Sequence, residues 1–198
     1  MGSFGSVWAN LRSTETRVHV DSHGARQTIQ KALLHVVDSQ RGAPTLIVVC
    51  IGTDRSTGDA LGPIIGTLLK DKKPPGLCVY GTLEQPVHAI NLHEVTAPLS
   101  VRHSNAFVLA VDACLGKSEN IGVITVGQGS LRPGAGVNKE LPAVGDAYIT
   151  GVVNVGGFME YFVLQNTRLY LVYRLAQTIA DGILAFASAW ESKRTCSM

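Results

Sequence analysis

The sequence predicts one α/β domain, a three-layer arrangement in which a mostly parallel, mixed sheet carries helices on both faces. Three observations lead there. Continuous apolar runs rich in β-branched residues, "TLIVVC" (45–50) and "AFVLAVDAC" (106–114), suit strands buried on both sides. Segments with apolar residues at helical spacing lie between and beyond them. A chain of 198 residues, at roughly 150 residues per domain, fits a single core.

The elements are expected in this order. Residues 1–16 show no periodic pattern and read as a flexible tail, which leaves 17–198 as the domain. Behind the candidate caps Asp21 and Ser22, the spacing of Ile29, Leu33, Val36 and Val37 predicts a helix to about Ser39. The strand "TLIVVC" follows. "DALGPIIGTLLK" (59–70) reads as a helix with Pro63 tolerated near its start. "LCVYGT" (77–82) is a second strand, and 88–101 a short helix interrupted near Pro98. "AFVLAVDAC", "IGVITVGQ" (121–128) and "AYITGVVNV" (147–155) are further strands. The link between the first two of these is too short for a parallel crossover, so they are expected to form an antiparallel pair. Helical material from about Phe158 to Trp190, broken near Asn166, closes the chain.

Composition excludes several classes of function. Hydrophobic residues make up 45% and charged residues 16%, the balance of a globular domain rather than a disordered chain. A net charge of +2 with scattered Lys and Arg does not point to nucleic acid. No apolar run is long enough to span a membrane, and no leader pattern opens the chain, so no membrane partner is expected. The cysteines Cys50, Cys78, Cys114 and Cys196 have no metal-pair spacing and read as buried apolar residues in a reducing cytoplasm.

Ligands of open α/β sheets bind beyond the carboxyl ends of the strands. Two acids fall there. Asp59 opens the second helix, and Asp112 finishes the run "FVLAV", where a carboxylate is costly to bury unless something satisfies it. Each has a structural explanation: the helix dipole favours Asp59 by about 0.3–1 kcal/mol, and loop amides could hold Asp112. As a pair they say more, because two carboxyl groups in close quarters cannot both ionise easily. One then serves as acid and the other as base, a division that suits attack of water on an amide. Asp54 and Arg55 share the loop with Asp59 and are expected to line the cleft, unless they only make turn bonds. Gly58 lets backbone approach a substrate or simply permits the turn. Arg132, with Gly134, Gly136 and Asn138, belongs to a second loop bordering the site. Asn154 sits where its strand should open on the same cleft. Cys114 has no downstream histidine to activate it, and no nucleophile-elbow motif exists.

"IGTDRSTGDALGP", "FVLAVDACLG" and "SLRPGAGVNKELPAVGD" together resemble the sporulation-protease family of the YyaC type. That family is related to the germination protease, which degrades small acid-soluble spore proteins, and more distantly to hydrogenase maturation proteases. The resemblance runs from about Arg17 to Ala189. It implies a phosphorylase/hydrolase-like fold, a catalytic pair at Asp59 and Asp112, a protein substrate such as a small acid-soluble spore protein, and a cytoplasmic place in the spore or forespore. A homo-oligomer is compatible with it.

The chain also departs from these relatives. The hydrogenase maturation relatives hold a metal through two acids and a later histidine. Here all six histidines precede Asp112, so no metal ligand is assigned and no cofactor is expected, with a divalent metal held through His88 or His93 as the alternative. Arg132 stands where the germination protease has a histidine, and a guanidinium cannot be a general base. The expected function is therefore a sporulation-associated endopeptidase acting through an aspartate pair. A binding or regulatory protein that retains the fold is the alternative.

Overall fold

The computed structural model describes residues 15–38, 45–72, 74–103, 105–134 and 141–195. Six strands form one sheet: β1 (Glu15–His19), β2 (Thr45–Cys50), β3 (Leu77–Tyr80), β4 (Ala106–Gly116), β5 (Val123–Gln128) and β6 (Ala147–Val155). The helices are α1 (Ala25–Asp38), α2 (Leu61–Lys72), α3 (Leu92–Arg102), α4 (Glu160–Gln165) and α5 (Leu169–Thr195). The strand order is β1-β5-β6-β4-β2-β3. β3, β2, β4 and β6 run parallel, while β5 pairs antiparallel with both β6 and β1.

Alternation along the strands divides the core into two layers. Leu46, Val48 and Cys50 of β2, with Phe107, Leu109 and Val111 of β4, face the layer formed by α1, α2 and α5. Ile47 and Val49, with Ala110, face the opposite layer, where Leu92 and Leu99 of α3 cover them. Both faces of the central strands are thus apolar, which is why their sequences read as unbroken hydrophobic runs. The mixed α/β sheet with helices on both faces is as the sequence predicts.

Three local expectations change. β1 begins at Glu15, so Glu15 and Thr16 of the expected tail belong to the sheet; residues 1–14 lie outside the described ones. The Tyr148 hydroxyl donates to the Glu15 carboxylate, and the His19 imidazole bonds the Ile121 carbonyl at 3.0 Å, which ties this edge strand down. Second, α3 continues through Pro98, since one proline removes only one backbone donor from the ladder. Third, β4 and β5 are antiparallel in direction but not neighbours, because β6 pairs between them. The link at 117–122, containing a short 3-10 turn at Ser118–Asn120, crosses two strand spacings of about 4.8 Å each, well within the reach of its residues.

α5 approaches α1 where it has no side chain. A Cβ on Gly182 would lie 2.7 Å from Ile29 Cγ2 and 2.8 Å from its Cβ, and Ile29 is fully buried. Gly182→Leu is therefore expected to separate the two helices and cost about 1–3 kcal/mol or more, read as a lowered midpoint in urea unfolding.

Candidate active site

The central strands differ in length, and the difference makes a notch. β2 pairs with β4 up to Cys50 opposite Val111, whereas β4 goes on beside β6 to Gly116, with a bulge between Cys114 and Leu115. Asp112 is the first β4 residue past that end of β2, and by alternation it follows Val108 and Ala110 onto the face that α3 covers.

The chain leaving β2 is folded back over this notch by close backbone packing. Gly52 has φ +140°, and a Cβ there would lie 2.0 Å from the Asp59 carbonyl oxygen. A Cβ on Gly62 would lie 2.0 Å from the Ile51 carbonyl oxygen. The Thr53 N–H donates to the Asp59 carbonyl at 3.2 Å, and the Ala60 N–H to Ser56 at 2.9 Å. This explains the glycine spacing in "IGTDRSTGDALGP": both ends of the loop press against backbone. Asp59 is delivered just before α2, at the mouth of the notch.

Asp59 and Asp112 line one cleft of about 980 Å³. Its other walls come from the turn before α3 (His88, Ile90), the loop after β5 (Leu131, Arg132, Gly134) and α4 (Tyr161, Leu164). Asp112 is buried; burial foremost, and then the charge of Asp59, pushes its carboxyl well above the usual aspartate range, with the Ala113 N–H, 2.8 Å from Oδ1, opposing. Burial also raises Asp59, though less steeply supported, because hydrogen bonding from the Thr53 backbone and the charge of His88 both favour its ionised form. The two acids are electrostatically coupled, and their surroundings are unequal.

Of the other residues expected at the site, Asp54, Arg55 and Arg132 line the cleft and are exposed at its rim. Gly134 lines it as well, while Gly136 and Asn138 lie outside the described residues. Gly58 and Asn154 do not line it. Instead they hold α4 in place. The Gly58 N–H donates to the Leu164 carbonyl at 2.8 Å, and a Cβ there would meet the Leu164 side chain at 2.8 Å. The Asn154 amide donates to the Val163 carbonyl and to Thr167 Oγ1, each at 3.3 Å.

Sequence reasoning passes over Ser56 and Thr150, and reaches His88 only as an alternative metal donor and Cys114 only as an unactivated thiol. Ser56 lies inside the motif, yet only the structure shows that its buried hydroxyl makes no hydrogen bond among the described residues. His88 is positioned by a turn in which Asn91 Oδ1 accepts its N–H at 2.8 Å, and its Nδ1 accepts the Ile90 N–H at 3.3 Å. The Pro86–Asn91 spacing was the available signal. Thr150 pairs with Asp112 across β4 and β6. The Cys114 thiol lies in the cleft, but burial holds its acidity low despite a bond to Thr150, which is the reverse of an activated nucleophile.

Among the described residues, no three His, Cys, Asp or Glu side chains converge tightly enough to hold a metal ion. Asp59, Asp112 and His88 share the cleft without forming such a set. The side chains as placed do not fit a three-donor centre.

A mixed α/β sheet with a cleft at the carboxyl edge of its parallel strands places the chain among open α/β proteins. It is similar in fold to the crystal structure of a [NiFe] hydrogenase maturation protease, HycI, from Thermococcus kodakarensis KOD1, with a TM-score of 0.50, 17% identity, and coverage of 79% of this chain and 98% of that one. The chain belongs to the DUF1256 family, described as proteins of unknown function, whose model matches residues 17–182. It is also 50% identical over 190 residues to uncharacterized protein YyaC of Bacillus subtilis (strain 168), across 93% of this chain and 92% of that protein. No described helix is long and apolar enough to cross a membrane.

Two expectations follow from this geometry. Gly52→Ala forces an L-residue into a positive-φ conformation against a backbone oxygen, so it should cost at least about 1–3 kcal/mol, seen as a fall in thermal midpoint. The raised Asp112 carboxyl binds its proton more tightly in the folded chain than an unfolded aspartate with its pKa near 4 does. Its contribution to stability is therefore full at acid pH and declines as pH rises from about 4 to the folded value. Asp112→Asn lacks that decline, and urea midpoints across the pH range should show it gaining on the wild type as pH rises.

Proposed function

We propose that the protein is an endopeptidase in which Asp59 and Asp112 act as an acid pair on a bound peptide. The observation that carries this reading is the coupling of the two acids in one cleft, with Asp112 the more desolvated and Asp59 the better supported as an anion. Asp112 accordingly keeps the shared proton. Asp59 takes a proton from water as the water oxygen attacks the carbonyl carbon, and Asp112 donates its proton to the carbonyl oxygen. In the collapse of the tetrahedral intermediate, Asp59 passes its proton to the departing amine and Asp112 recovers one from the diol, which restores both groups. Atoms and charges balance without a metal. A cleft of about 980 Å³ has room for several peptide residues.

The resemblance of this chain's motifs to the germination protease is what suggests a cytoplasmic sporulation role with small acid-soluble spore proteins as substrates. Purified protein should cleave such proteins in the presence of a chelator. Asp59→Asn and Asp112→Asn should each reduce the rate by about 10²–10⁴-fold, with circular dichroism confirming that both fold. Cleavage indifferent to both substitutions would show that the acid pair is not the catalyst, and loss of cleavage on chelation would show that a metal is required.

A further inference from the structure

We propose that the surface of α4 and the start of α5 is a two-fold interface between copies of this chain. Large apolar side chains concentrate there. Phe158 is 89% exposed, Tyr161 66%, Phe162 58%, Tyr170 65% and Tyr173 45%, and Met159 and Leu169 are also exposed. At about 200 Å² per aromatic side chain these rings alone present on the order of 650 Å², more than the 300–600 Å² or so of the largest apolar patch on a typical monomer. With Met159 and Leu169 the area approaches the roughly 800 Å² per partner that a stable complex buries. Tyrosine, phenylalanine and methionine are also the residues enriched at the centres of such interfaces.

The charges identify the occupant. Within 158–173 the only charged side chains are Glu160 and Arg168, one near each end of α4. Arg168 is exposed and makes no ion pair among the described residues, and the Glu160 carboxylate holds only the local Gly157 N–H at 3.2 Å. A two-fold axis across α4 lays the segment antiparallel on itself. Each Glu160 then meets the Arg168 of the second copy, twice over, while apolar rings meet apolar rings. A surface with one acid and one base at opposite ends complements itself under that operation. Glu160, Tyr161 and Leu164 also line the cleft, so the second copy would stand beside its mouth.

Sedimentation equilibrium of the full chain, without substrate, tests the interface independently of any peptidase activity. The wild type should dimerise. Phe158→Glu and Tyr170→Glu, both at exposed positions, should raise the dissociation constant by about a hundredfold or more. Glu160→Arg and Arg168→Glu should each weaken the dimer by creating two like-charge contacts, and the double exchange in one chain should restore it. A chain that stays monomeric at all concentrations overturns the proposal, whether the surface is then covered by another part of the chain or by a different protein. A dimer indifferent to these four substitutions, or a double exchange no better than the singles, overturns it equally.

Discussion

The arrangement depends on burying a carboxyl group where one central strand outruns its neighbour. From Leu109 to Val111, β4 is covered on both sides by paired strands and on both faces by helices. At Asp112 the β2 side is open, so an ionisable group can sit at the end of an apolar strand without lying in the core itself. Burial there still penalises its charge. The packed layers on either side of the sheet supply the stability that such a group subtracts. The open side of the strand in turn becomes the floor of a cleft, because the loop from β2 must cross it.

That crossing is a backbone problem before it is a chemical one. Gly52 and Gly62 let the loop press on Asp59 and Ile51 at distances that no Cβ would allow. The path is therefore fixed by main-chain contacts, and the position of Asp59 does not depend on its own side chain making a bond. α4 is fixed in a related way, through Gly58 and Asn154. Because one short helix supplies both a wall of the cleft and two of the exposed aromatic side chains, Tyr161 and Phe162, anything that seats on that surface also bears on the cleft.

Much of the fold was legible in the sequence, for identifiable reasons. The runs at 45–50 and 106–114 announce strands buried on both faces, and Asp112 stands out as a carboxylate that interrupts an apolar run. β1 was not legible: "ETRVH" is short, half charged and held by partners more than a hundred residues away. The neighbour of β4 was misjudged because a short link constrains direction but leaves open which strand is inserted alongside. In the site, the sequence offers Gly58 and Asn154 as cleft residues, whereas both pack against α4. A glycine or an amide at a strand end looks the same from the sequence in either role. Ser56 is not legible as a cleft residue, and His88 is legible only as an alternative metal donor, for the complementary reason: their place in the cleft is set by tertiary path rather than by local pattern.

The unequal surroundings of the two acids also bear on Arg132, the residue that stands where the resemblance to the germination protease expects a histidine. A guanidinium beside either aspartate would hold it ionised and oppose the acid–base division proposed for the pair. The influences that set Asp112 are its burial, the charge of Asp59 and the Ala113 amide, and those on Asp59 are burial, the Thr53 amide and His88. Arg132 is exposed on the rim with Arg55. On the proposed reading it would orient a substrate from there without holding either aspartate ionised. Likeness of fold at 17% identity fixes none of this. What this chain shows of its own charges is a buried acid at Asp112, a second acid at the mouth of the notch under the influence of His88, and guanidinium groups exposed at the edge.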